Sequence, residues 1–265
     1  MSTSADNPAS ARTNVLIVGA TSGIARALAR LMATDAAKEK RAQGLILAAR
    51  DQEELQRLAA DLRVRSGCDV ATLHYDAADL DSAIPLMHDA VAALPGGLHG
   101  VILAHGALPD PEQSFRDPAT ARQLIDVNYT SMVLLLEAAA TQFEQQKFGW
   151  ICAISSVAGD RGRRSNYPYG ASKAALSAYL QGLRSRLHPI KVPVLTVKPG
   201  FVDTAMIWGI VRPNSPLNSK PQRVAGDILR AIRRRRNVLY TPWFWRIIMG
   251  IVTRIPEFVF KRMKI

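Results

Sequence analysis

The sequence predicts an α/β fold: a single doubly wound parallel sheet with helices on both faces. Three observations carry this expectation. β-rich runs alternate with helical stretches over the first two thirds of the chain. The strands are apolar almost end to end, as strands covered on both faces must be. The first strand ends in a glycine-bearing turn that opens directly into a helix. No repeat or internal linker interrupts the series, and 265 residues suffice for one domain with a substantial core.

The elements follow in order. The run NVLIVGA (14–20) reads as a buried strand and SGIARALARLMAT (22–34) as the helix after it. GLILAAR (44–50) is the second strand. The next helix begins at Asp51, an N-cap residue, and carries acids in its first turn, where the helix dipole favours them. Further strands are expected at 69–76, 98–106, 149–156 and 191–200, with helices at 79–93, 118–146 and 167–187. Toward the end, VAGDILRAIRRRR (224–236) reads as a helix whose cations suit its C-terminal end, and NVLYTP (237–242) as a strand.

Composition narrows the class. A hydrophobic content of 48% with 21% charged residues argues against disorder outside the opening MSTSADNPASART (1–13). That opening lacks the apolar run of a signal peptide. The two cysteines, Cys68 and Cys152, form no disulfide framework or metal-spaced cluster, which fits a reducing compartment. Cys152 sits in an apolar run and reads as a buried thiol. The net charge of +12 is concentrated: from Lys220 onward twelve Lys/Arg face only Asp227 and Glu257. Such a basic end points to an anionic surface or ligand.

Two motifs carry chemistry. In GATSGIA, Gly19 and Gly23 let the backbone turn sharply and approach a pyrophosphate at a helix N-terminus, where free N–H groups and the dipole favour anions. In DRGRRSNYPYGASK (160–173), Tyr169 and Lys173 are four residues apart and therefore share one helix face. A free phenol has a pKa of about 10. A neighbouring ammonium favours the phenolate, so such a pair can act as acid and base near neutrality. Tyr167 has no such partner, since residue 171 is alanine; it reads as an aromatic wall of the cleft or as packing.

These motifs resemble the short-chain dehydrogenase/reductase family. Its glycine segment TGxxxGIG matches here except at Val18 and Ala25, and Ala25 is still small enough to keep helix and sheet close. Tyr169 to Lys173 matches the family's YxxxK, Ser156 lies thirteen residues before Tyr169, and Asn128 stands in DVNYTS. With KPGFVDT (198–204) the resemblance spans roughly 14–204. It implies a Rossmann-type fold and a catalytic set of Asn128, Ser156, Tyr169 and Lys173. Ser156 would bond the substrate oxygen as charge develops on it. Lys173 would also hold the nicotinamide ribose, and Asn128 would position a water. Cofactor contacts are implied at Gly19, Thr21, Ser22, Gly23 and Ile24, at Ala104 and Gly106, and at Pro199, Gly200, Val202 and Thr204. Where the family carries Asn-Ala-Gly, this chain reads Ala104-His105-Gly106, which removes the asparagine's bracing role. His105 is then either a second proton relay or a loop residue with an unrelated contact. NAD-binding members usually end the second strand in an acid. This chain has Arg50 there, which can pair with a 2′-phosphate, so NADPH is expected over NADH. Asp76 matches the family's adenine-contacting aspartate or is a turn residue.

The remaining features concern the substrate. Arg161, Arg163 and Arg164 lie between Ser156 and Tyr169, on a loop that must pass over the substrate cleft. They form either a solvated charge run or a phosphate-capturing set with Tyr167 beside it. The segment 242–265 is too interrupted by charge to span a bilayer, yet Trp243, Trp245 and its flanking cations suit an interfacial helix. A helix folded onto the core or a subunit interface is the alternative. The domain would then be 14–241, with this segment as an extension. The segments GDRGRRSNYPYGASK, KPGFVDTAM and the closing YTPWFW…RIP…FKR are similar to bacterial reductases of a 2-keto pentose carried on decaprenyl phosphate. That resemblance implies a cytoplasmic enzyme of cell-wall biosynthesis, peripheral at the inner face of the membrane. A reductase of another membrane-soluble ketone (steroid, retinoid or 3-keto lipid) is the competing enzyme reading. A non-catalytic nucleotide-sensing adaptor of membrane or nucleic acid is the competing reading of another class. The intact Asn/Ser/Tyr/Lys set argues against that last reading and against nucleic acid as a partner, and leaves a homo-oligomer open.

Overall fold

In the computed structural model, which describes residues 12–207 and 215–263, seven parallel strands form one sheet in the order β3-β2-β1-β4-β5-β6-β7. The strands are β1 (Thr13–Val18), β2 (Gln43–Ala49), β3 (Asp69–His74), β4 (Gly100–Leu103), β5 (Trp150–Ile154), β6 (Val194–Pro199) and β7 (Val238–Thr241). The expected doubly wound parallel sheet is therefore present, and every expected strand has its counterpart.

Alternation along each strand divides the core in two. Val15 and Ile17 face α1 (Gly23–Lys38), α2 (Gln52–Ser66) and α8 (Pro221–Arg233). Leu16 and Val18 face α3 (Ala83–Ala92), α6 (Ser131–Gln146) and α7 (Tyr167–Leu187). Burial on both faces is why these strands show no polar alternation. Ala25 is fully buried in the first of these clusters, so its small side chain does let α1 lie against the sheet. Both cysteines are buried and free, and burial pushes the Cys152 thiol up to about 12. Asp51 caps α2, its carboxylate accepting from the Glu54 N–H at 3.0 Å.

The helix expected over 118–146 is present without a gap: α5 (Pro118–Ile125) runs through a π-helical turn at Asp126–Thr130 into α6. A short helix, α4 (Pro111–Arg116), precedes it. The helix expected at 79–93 opens with a single 3-10 turn, Leu80–Ser82, ahead of α3. After β7 the chain folds back as α9 (Phe244–Val252) and the single turn α10 (Glu257–Phe260). α9 buries Trp245 and Met249 against Val157, the residue after Ser156. No helix among the described residues is long and apolar enough to cross a membrane. Most of the opening 1–13 lies outside the described residues, but Thr13 already belongs to β1.

Candidate active site

The chain reverses winding direction between β1 and β4, and the crevice beyond their C-terminal ends is where an open α/β sheet offers a ligand site. A cleft of about 400 Å³ occupies this place. On one side it is lined by the β1–α1 turn (Thr21, Ser22, Gly23, Ile24). Ala104 and Gly106 after β4 line it too, as do Pro199, Gly200, Val202 and Thr204 after β6. Gly19 has φ +76°, and a Cβ there would lie 2.6 Å from the His105 nitrogen. Only glycine lets these two loops close on each other. Gly23 and Ile24 form the first turn of α1, so unpaired N–H groups and the positive end of the helix dipole face the cleft.

Arg50 is exposed at the end of β2 and makes no ion pair among the described residues. Its neighbour Arg26, by contrast, is committed to Glu54 at 2.5 Å. A close-approach glycine cradle, a helix N-terminus and a free arginine fit a dinucleotide carrying a 2′-phosphate. Asp76 sits at the end of β3, where its carboxylate accepts from Ala78 N–H at 3.0 Å. That bond is the turn reading, and it leaves a carboxylate oxygen for a ligand.

The opposite side of the cleft holds Ser156, Tyr169 and Lys173. Ser156 leaves β5 in an extended conformation and caps a 3-10 turn, Val157–Gly159, accepting from Ala158 N–H at 3.1 Å. That turn lies directly on α7: a Cβ at Gly159 would stand 2.7 Å from the Ala174 nitrogen. Ser155 fastens the same contact. Its hydroxyl donates to the Lys173 carbonyl at 3.0 Å and lies 2.8 Å from the Ser177 hydroxyl. The sheet therefore fixes Ser156 relative to the helix that carries Tyr169 and Lys173. Sequence reading missed Ser155, whose only signal is its place beside Ser156.

Lys173 is buried, its Nζ donating to the Ile154 carbonyl at 3.3 Å. Burial brings its pKa down to about 8. Asn128 is fully buried one layer behind the cleft. Its side-chain amide bonds Ala107 in both senses, accepting from the N–H at 2.7 Å and donating to the carbonyl at 2.8 Å. The π turn thus presents Asn128 as a brace for the loop after β4. His105 reaches Ser131 at 2.9 Å and packs edge-on to Tyr75. Burial, with the Lys173 charge, depresses its pKa to about 3, so the ring is neutral in these contacts.

Burial raises the Tyr169 phenol above its ordinary value, opposed by the Ser156 hydroxyl and by the Arg163 charge. The Lys173 ammonium lies 5.8 Å from the ring centroid. Tyr167 lies outside the cleft lining, exposed and stacked on Phe115 at 4.8 Å with ring planes 6° apart.

The three arginines separate. Only Arg163 lines the cleft. Arg164 is exposed. Arg161 turns to the C-terminal segment, pairing with Glu257 at 2.6 Å and lying 4.4 Å over the Phe260 ring. The expectation that it holds substrate is therefore corrected: its guanidinium is committed elsewhere by a long-range pair that local sequence does not disclose. Two further residues were not anticipated. Asn166 lines the cleft at the start of α7. Asp160 ties the loop to the sheet through Lys198 and Tyr240.

The comparisons agree with this geometry. The family model for short chain dehydrogenases matches residues 13–214. An uncharacterised oxidoreductase of Mycobacterium tuberculosis is 35% identical over 249 residues, covering 94% of this chain and 96% of the relative. An uncharacterised oxidoreductase of Streptomyces coelicolor is 31% identical over 250 residues, covering 94% and 95%. Among solved structures, a short-chain dehydrogenase from Sphingobium yanoikuyae in complex with NADPH superposes with a TM-score of 0.75 at 27% identity, covering 92% of this chain and 97% of that one.

Proposed function

The chain belongs to the short-chain dehydrogenase family and is an oxidoreductase, and from that premise we propose an NADPH-dependent carbonyl reductase acting on a lipid-phosphate-linked 2-keto pentose at a membrane surface. The single observation that carries the substrate reading is Arg163. It is the one arginine of its loop that lines the cleft, half-buried and near Tyr169, and burial works against its charge. A cation held there gains most from an anionic group on the substrate.

NADPH, when bound, supplies the hydride that reduces the carbonyl carbon. The free Arg50 supports the 2′-phosphate form, and the structural neighbour bound to NADPH agrees with it. The chain's own residues handle the oxygen. Tyr169, held protonated by burial, donates its phenol proton to the carbonyl oxygen, and Ser156 donates a hydrogen bond to the same oxygen as charge gathers there. Lys173, charged below a pH of about 8, stabilises the phenolate left behind. Asn128 keeps the loop after β4 in place.

The membrane reading draws on α9 and α10. Trp243 (66% exposed), Ile247 and Ile251 recur every four residues along the outer side of α9, and Phe258 and Val259 continue the apolar surface on α10. Arg246, Arg254, Lys261 and Arg262 flank them. An apolar stripe with cationic margins suits the interface of an anionic bilayer. Membrane association would keep the enzyme at the inner face of the cell membrane, next to a lipid-borne substrate.

The test compares a short-chain polyprenyl-phosphoryl keto-pentose with its dephosphorylated counterpart in detergent. Charge-assisted bonds worth about 1.5–3 kcal/mol predict that kcat/KM favours the phosphate form by about 10- to 150-fold, and that Arg163→Ala narrows this ratio. Equal rates on both forms would refute the phosphate reading and favour a neutral membrane-soluble ketone.

A further inference from the structure

Three cleft-lining residues carry a buried polar atom without a partner among the described residues: Arg163 Nε, Asn166 Oδ1 and, on the loop after β4, His105 Nδ1. The first two stand together. One is a donor and the other an acceptor. The residues bearing them stand three apart in one turn, closed by the Asn166 N–H donating to the Arg163 carbonyl at 3.2 Å. Both line the cleft beside Tyr169.

The position of Asn166 makes its free oxygen unusual. It occupies the N-cap of α7, where an asparagine oxygen ordinarily accepts from the N–H two or three residues on. Two residues on is Pro168, which has no N–H, and the side chain makes no capping bond. The local helix therefore does not use this acceptor. A buried acceptor left unpaired is costly, and so is a buried guanidinium N–H. Leu108, Pro111, Phe201 and Met206 add apolar lining, and neither Ser165 between the two residues nor any other lining group bonds either atom.

We infer that Asn166 and Arg163 form a hydroxyl-recognising pair that selects ketones bearing a hydroxyl next to the reacting carbonyl. A hydroxyl is the smallest group that donates to Asn166 Oδ1 and accepts from Arg163 Nε at once. It also satisfies the carboxamide in either of its two orientations. Nearness to Tyr169 sets the distance from the reacting carbon: Asn166 caps α7, Tyr169 stands in the first turn of that helix, and both line the same cleft as Arg163, so the recognised group lies close to the carbonyl oxygen that the phenol protonates. The inference rests on the reductase reading and not on the phosphate reading, since it concerns the Nε edge of the guanidinium and a neutral group.

The experiment uses three small ketones without phosphate, with the full chain and NADPH: 2-hydroxyacetophenone, 2-methoxyacetophenone and acetophenone. The methoxy compound keeps the acceptor oxygen and loses only the donated proton. A site built to bond a substrate hydroxyl rejects an analogue that leaves its buried acceptor unpaired. The wild-type kcat/KM should therefore favour hydroxy over methoxy by about 5- to 150-fold. Asn166→Ala should bring the ratio close to one, and Asn166→Asp, which retains an acceptor, should restore most of it. NADPH binding followed by fluorescence verifies that each variant is folded; if Asn166→Ala is not, the wild-type and Asn166→Asp ratios decide. A wild-type ratio near one overturns the proposal, because the two groups then satisfy each other and not a ligand. An unchanged ratio in Asn166→Ala overturns it as well. Either result leaves the phosphate reading standing, since no probe carries phosphate. Failure to reduce any of the three ketones removes the reductase premise for such substrates and the inference with it.

Discussion

Replacing Asp160 with leucine should cost the protein a large share of its stability. The Asp160 carboxylate pairs with Lys198 Nζ at 2.5 Å and accepts from the Tyr240 hydroxyl at 2.8 Å. Its side chain is 8% exposed and that of Lys198 13%, so solvent screens the pair little. Removing the carboxylate strands an ammonium and a phenol in a poorly hydrated space. Breaking a buried pair from one side typically costs about 3–5 kcal/mol. At about 2–4 °C per kcal/mol for a chain somewhat smaller than this one, Tm should fall by roughly 6–20 °C, read by circular dichroism on heating and by the urea midpoint. The double variant Asp160→Leu/Lys198→Met removes both charges and should recover most of the loss, because an apolar replacement of a whole buried pair is close to neutral. A Tm for Asp160→Leu within about 2 °C of wild type, or a double variant no better than the single one, would refute the reasoning.

Other outcomes follow from the same geometry. Arg50→Asp should move cofactor preference toward NADH, through loss of a phosphate partner and gain of a ribose acceptor; an unchanged ratio of kcat/KM for NADPH over NADH would show that the preference is set elsewhere. In the reductive direction kcat/KM should stay level at neutral pH and decline as pH rises through about 8, where Lys173 loses its proton. The sign follows from its lowered pKa: the ammonium that stabilises the developing phenolate is present only below that value. A profile level to about pH 10, the ordinary range of a phenol or an amine, would show that Lys173 is not the titrating group.

The framework of the fold could be read in the sequence because its strands are apolar on both faces and its first turn has a glycine at a positive φ. Tyr169 and Lys173 could be paired by their spacing on one helix face, whereas Ser156 was implied by the family resemblance. What escaped sequence reading is of two kinds. The π turn at Asp126–Thr130 interrupts an otherwise uniform helical pattern, and only the two-way bond from Asn128 to Ala107 accounts for its place. The burial that raises the Tyr169 phenol is set by packing around the cleft and not by neighbours in sequence. Asp160 likewise finds its partners on β6 and β7, 38 and 80 residues away.

The Arg161 clasp bears on how substrate loops can be exchanged between relatives. The loop that presents Arg163 is anchored through Arg161 to Glu257, 96 residues downstream, and to the face of Phe260. A graft of 157–166 alone would transfer the arginine sequence without the surface that holds it, and Arg161 would lose both of its partners. The loop and the C-terminal turn are thus one clasped unit. Chimeras that swap both should inherit a substrate preference, whereas those that swap one should inherit only its residues.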